Sequence, residues 1–191
     1  MVEKFYTGIG SRELPKHVLI FMRDVGIRMA KRGYVLRSGG AKGADTAFEI
    51  GAIRGKGGIE IFIPWNGFND RFEKDGTYFV PTREMFETAK AALINQNIIK
   101  WFEDMKQGVQ KLHARNYYQI HGFDMEENSM VCLYACPEDD KGKPTGGTRT
   151  AVMLAQNAGI PTYNLIHEDV RKEVANKIKL KWEKKYEEPK N

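Results

Sequence analysis

One construction recurs three times and constrains this chain more than anything else. A short apolar strand runs into a glycine-rich turn, and the turn opens a helix. Lys4 to Gly8 is the first such strand and leads into Gly8-Ile9-Gly10-Ser11-Arg12. Pro15 suits the first turn of the helix that follows, where Val18, Leu19, Met22, Val25 and Met29 recur at helical spacing until Gly33. Tyr34-Val35-Leu36 is the second strand, followed by Ser38-Gly39-Gly40-Ala41-Lys42-Gly43-Ala44-Asp45 and a helix to Ile53. Gly55, Gly57 and Gly58 end that helix before a third strand, Ile59 to Ile63. The third unit is the strand Met130 to Ala135, the polar loop Pro137 to Pro144, and Thr145-Gly146-Gly147-Thr148-Arg149-Thr150 opening a helix through Asn157. A last strand covers Thr162 to Ile166. Strands joined through helices of this length must run parallel, and right-handed crossovers place the helices on the faces of the sheet. The fold class read from this pattern is α/β, doubly wound and mostly parallel.

The stretch from Trp65 to His121 breaks the pattern. Asn66-Gly67-Phe68-Asn69-Asp70 and Asp75-Gly76 are turn-rich. A helix is expected from Thr82, its cap, to about Leu93, and another over Ile98 to Leu112. Residues 66–121 therefore read as a helical insertion capping one edge of the sheet, within a single domain spanning 1–191. In the tail, Val170, Val174, Ile178, Trp182 and Tyr186 recur every four residues, one helical stripe over 167–187. Such a stripe either docks on its own domain or meets a second copy in a homodimer or higher homo-oligomer.

Loops that follow the strands of an open parallel sheet lie at its carboxyl edge, where such folds bind ligands. Glycine lets a backbone approach a ligand closely, and a helix N-terminus behind it favours an anion. The three loops together suit a phosphate or a phosphorylated ribose. Arg12, Arg37, Lys42 and Arg149 lie in or beside them, and the first 65 residues carry 11 basic against 6 acidic side chains. The ligand-binding set is thus Gly8, Gly10, Ser11, Arg12, Ser38, Gly39, Gly40, Ala41, Lys42, Gly43, Asp45, Gly146, Gly147, Thr148, Arg149 and Thr150. Glu13 occupies the third-glycine position of the dinucleotide fingerprint, and no segment fits the P-loop, so an ordinary NAD site and ATP hydrolysis are not expected.

Asp45 and Glu49 stand four apart on one helix face, and they are the two candidates for a general acid or base. Helix stabilisation by Asp45 and a solvated Glu49 is the plainer alternative. His113, Arg115 and Asn116 precede Tyr117-Tyr118 and could edge a ligand; Trp65, after the third strand, could stack on a base. Cys132 and Cys136 alone make neither a disulfide framework nor a four-ligand zinc site, and no metal or cofactor is expected. No apolar run approaches the roughly 18 residues of a membrane span, and Met1 to Phe5 lack the pattern of a secretion signal. The expected location is the cytoplasm.

Tyr6-Thr7-Gly8-Ile9-Gly10-Ser11-Arg12, Leu36 to Asp45 and Gly146-Gly147-Thr148-Arg149-Thr150-Ala151 resemble the SLOG superfamily, which joins the DNA-processing protein DprA (Smf) and the LOG phosphoribohydrolases. Leu112-His113-Ala114-Arg115-Asn116-Tyr117-Tyr118-Gln119 resembles a compact subgroup often encoded by bacteriophages, for which the location would be the host cytoplasm. The resemblance implies a Rossmann-like sheet whose glycine loops bind a nucleotide or nucleotide-derived ligand. It leaves three readings open: a sensor or sequestering protein for such a ligand, a LOG-like N-glycoside hydrolase, or a DprA-like protein that binds single-stranded DNA. The LOG motif carries a glutamate where this chain has Met153 and a third glycine where it has Arg149. Methionine cannot transfer a proton, and no dense basic stripe or winged-helix extension of the DprA kind is evident.

Overall fold

The structure is a computed structural model and describes residues 3–189. Six strands form one sheet in the order β4-β3-β2-β1-β5-β6, and every neighbouring pair is parallel. They are β1 (Lys4–Gly10), β2 (Tyr34–Ser38), β3 (Ile59–Phe62), β4 (Tyr78–Phe79), β5 (Cys132–Ala135) and β6 (Thr162–Asn164). The helices are α1 (Lys16–Ala30), α2 (Ala44–Arg54), α3 (Arg83–Asn95), α4 (Gln107–His121), α5 (Gly146–Asn157) and α6 (Glu168–Ile178). This is the doubly wound Rossmann-like α/β fold that the strand–loop–helix pattern implies. The strand order reverses between β1 and β5, which opens a crevice at the carboxyl edge.

Alternation along the strands divides the interior. Tyr6, Leu36, Ile61, Leu133 and Ala135 face one side and pack with Val18, Phe21, Met22 and Val25 of α1 and Phe48 of α2. Ile9, Cys132 and Tyr134 face the other and pack with Val152 and Leu154 of α5 and Ile120 of α4. α1 and α2 cross closely over Gly26 and Gly51: a side chain at Gly51 would strike the carbonyl of Arg23. A Cβ at Gly8 would lie 2.6 Å from the Phe48 ring, so this glycine serves the packing of α2 on β1.

Segment 66–121 differs from the sequence expectation in its details. Its helix begins at Gln107, and the expected helix over Ile98 to Leu112 is replaced at its start by a series of turns that buries Ile99 and Phe102. The segment also supplies an edge strand, β4, that sequence patterning did not reveal. α4 lies against β3 and β2 and beside α5, so it covers a sheet face as well as an edge.

The tail stripe is not one helix. α6 ends where Lys179 takes a left-handed conformation, and a single 3₁₀ turn, Lys184–Tyr186, follows. Val174, Ile178 and Tyr186 join the core beside α1, with Trp182 packed against them. The buried guanidinium of Arg171 donates to the carbonyls of Leu165, Ile166 and Tyr186. Among the described residues no helix is long and apolar enough to cross a membrane.

Candidate functional site

A cavity of about 610 Å³ opens at the carboxyl edge beside β1 and β5. The first loop reaches it with Gly10, Ser11 and Arg12, the second with Ala41 and Asp45, and the third with Gly146, Gly147 and Thr148. α4 supplies the remaining wall through His113, Arg115, Asn116 and Gln119.

Asp45 is the knot between the first two loops. Its buried carboxylate accepts from Gly10 N and Ala41 N, each at 3.2 Å. Gly43 makes the approach possible: its φ of 78° is left-handed, and a side chain there would strike the carbonyls of Ser11 and Arg12. Ala44 N then donates to Ser11 O at 3.1 Å. Burial raises the Asp45 carboxyl above its ordinary range, opposed by Arg115 and the two backbone donors.

Arg115 is only 7% exposed. Its Nη1 stands 3.9 Å from Asp45 Oδ2 and donates to the side-chain oxygen of Gln119. That oxygen also accepts from Gly39 N at 3.2 Å, and the Gln119 nitrogen donates to Asn116 Oδ1. Gly39 is bare because the guanidinium occupies the space a side chain would fill. Arg115 Nε is buried and has no acceptor among the described residues. A guanidinium stays charged, so this side chain brings to the cavity a positive charge that its one carboxylate neighbour meets only at a distance.

The third loop presents the start of α5. Thr145 makes no side-chain cap, and no acidic residue stands in the first turn. The leading N–H groups of a helix have no intrahelical acceptor, and they carry a partial positive charge. Around Gly146 and Gly147 there is open space where side chains would stand. α4 is tied to this turn by Asn116 Nδ2 donating to Gly147 O at 3.1 Å and by His113 Nδ1 against Thr150 Oγ1 at 2.9 Å.

Other residues of the sequence-derived set lie elsewhere. Glu49 is buried in a separate cluster: Arg71 grips it through Nε and Nη2, at 2.8 Å and 2.6 Å to Oε2, and Tyr78 Oη donates to Oε1 at 2.7 Å. It is neither solvated nor turned to the cavity. Gly8 and Ser38 are structural, Ser38 Oγ donating to Gly8 O at 2.6 Å. Gly40 packs against Arg71, and Lys42 is exposed outside the cavity wall. Arg37 is buried on β2, paired to Glu60 at 2.7 Å and stacked on Phe5. Trp65 lines a different cavity, with Val80, Thr82 and Phe86. Tyr118 packs in the core with Phe62, its hydroxyl donating to Met85 O, and Tyr117 packs on His121. Arg149, Thr150 and Met153 line a cavity on the far side of the α5 start. Gln119, in contrast, is central: it closes the Leu112–Gln119 motif but was not among the expected ligand residues.

No protein-family model matches the chain, and no curated protein matches it in sequence. Solved structures do. The molybdenum cofactor binding protein from the phototrophic bacterium Rippkaea orientalis is 17% identical, over 94% of this chain and 87% of that one, with a TM-score of 0.51. DNA processing protein A from Helicobacter pylori, described as binding single-stranded DNA, is 18% identical over 92% of this chain and 72% of its own, with a TM-score of 0.50. DNA processing protein A (DprA) from Streptococcus pneumoniae is 15% identical with a TM-score of 0.51, and this chain spans 56% of its length. At these identities the likeness is one of fold, and the fold is the Rossmann-like one of DprA to which the glycine loops pointed.

Proposed function

We propose that the protein binds a nucleotide or nucleotide-derived phosphorylated ligand in the cavity at the carboxyl edge, as a sensor or sequestering protein. The observation that carries this reading is Arg115: a buried guanidinium with an unpartnered Nε, in one wall with an uncapped helix start. Buried charge without full pairing is costly, and an anion that completes it recovers that cost. Exposed Arg12 at the rim offers a second fork for the same anion. The walls also include Ile9, Val109, Leu112 and Pro137, an apolar surface for the remainder of a nucleotide.

Hydrolysis by a LOG-like route finds less support. Met153 stands where that motif has its glutamate, and Glu49 is held by Arg71 and Tyr78. Asp45 spends its oxygens on two loop amides. Structural neighbours that bind a molybdenum cofactor or single-stranded DNA keep both a small ligand and DNA in the test.

The test is a thermal-shift panel of nucleoside monophosphates, cyclic nucleotides, ADP-ribose, NAD and a short DNA oligomer. A ligand at about 100 times its Kd adds about 2.7 kcal/mol of stability. Arg115→Met keeps the volume and removes the charge. The expected result is stabilisation by a small nucleotide that this variant and Arg12→Ala both lose. Stabilisation by the oligomer alone would transfer the site to DNA, and undiminished binding by Arg115→Met would remove Arg115 from it.

A further inference from the structure

A second cavity, of about 450 Å³, lies on the other side of the α5 start, between α5 and the turns of 97–105. Ile98, Trp101 and Met153 give it apolar walls, and Lys100 and Arg149 make it cationic. It shares a wall with the first: Gly146 and His113 line both. His113 is fixed in this shared wall by its contact with Thr150. Trp101 is 64% exposed, and among the described residues no other aromatic ring packs against it.

Each chamber has the volume of a small-ligand site in its own right. Trp101 lines the second chamber and not the first, so a mononucleotide confined to the first, with its phosphate at the α5 start, leaves the indole without a partner. An indole at the lip of a cationic cavity is the ordinary platform for a base, because every base has a flat apolar face. Lys100 and Arg149 select for a unit that also carries negative charge. We infer that the site takes a ligand of two nucleotide units joined through phosphate, with the linking phosphate at Gly146 and one base stacked on Trp101. This inference rests on the phosphate reading of the first cavity.

The experiment is calorimetric titration of the protein with AMP and GMP, with the 5′-phosphorylated dinucleotides pApA and pGpG, and with a twelve-residue deoxyadenylate. One base stack corresponds to about a tenfold gain. The expected result is a dinucleotide bound at least about tenfold tighter than its mononucleotide, a ratio that falls toward one in Trp101→Ala and survives in Trp101→Phe. Trp101 is exposed, so folding of the variants is verified by an unchanged thermal midpoint. Dinucleotide binding should also quench tryptophan fluorescence in the wild type, and lose that quench in Trp101→Phe. Equal affinities, or a ratio that Trp101→Ala leaves intact, overturn the second subsite and leave the first cavity's reading standing. Binding of none of the probes overturns both. A deoxyadenylate bound much tighter than pApA overturns the dinucleotide class in favour of single-stranded DNA.

Discussion

Asp45 and Glu49 show at the scale of single residues what a sequence can and cannot convey. Their spacing puts both on one helix face, and both are buried on α2. Asp45 meets Gly10, Ala41 and Arg115, whereas Glu49 meets Arg71 and Tyr78. Those last partners come from a turn-rich segment more than 20 residues away, and no local pattern announces them. Their effect is also felt at Tyr78, whose phenol is pushed up to about 12 by burial and by its bond to Glu49. Glu49→Ala leaves the partly buried Arg71 guanidinium without its carboxylate and should cost about 3 kcal/mol. Chemical denaturation measures that loss. Ligand affinity should be unchanged in the same variant, because Glu49 does not line the cavity; a parallel loss of affinity would place it back in the site. Arg115 was legible as a polar residue before two tyrosines. Its burial and its bond to Gln119 were not, because both follow from α4 lying over Gly39.

At the scale of elements, the three loop–helix units were readable because glycine, strand and helix signals agree locally. α4 was displaced in the sequence reading because Ile98, Phe102 and Met105 mimic helical spacing while forming turns. Asn97, at a φ of 54°, is where the chain leaves the path from α3. β4 is two residues long and is set by its backbone pairing to Ile61 and Phe62, for which side-chain type carries no signal. The α5 start yields a prediction of its own. Thr148→Asp places a carboxylate in a first turn that has none, and should stabilise the helix by about 0.5 kcal/mol. The same charge repels a phosphate, so affinity should fall by about tenfold or more. The measurement is a thermal midpoint beside a binding isotherm; the two should move in opposite directions. A midpoint and an affinity that fall together would mean only a damaged fold.

The whole molecule holds three of its four histidines, His17, His113 and His121, below their ordinary pKa, each chiefly by burial. The unfolded chain therefore binds more protons than the folded one once the pH drops below about 6.5. Stability is fully present above that value and is lost as pH falls through the window beneath it. Thermal midpoints should hold steady from pH 8 to 7 and decline from about pH 6.5 to 5.5. A decline that begins only near pH 4.5 would assign acid sensitivity to the carboxylates instead. The basic bias of the first 65 residues was readable at this scale, as was the parallel sheet. The tail was readable only as a stripe: its bend at Lys179 is a left-handed helix end closed on the carbonyls of Ala175 and Asn176, and its anchorage depends on Arg171 reaching the carbonyls of Leu165, Ile166 and Tyr186 outside the helix. The shared carboxylate of Asp45 bears finally on kinetics. The first two glycine loops are already fastened to each other by the chain's own amides, so an arriving ligand does not have to organise them. Association can then run at the pace of encounter, quickened by the basic loops and slowed by salt. Differences in affinity among ligands should emerge in residence time.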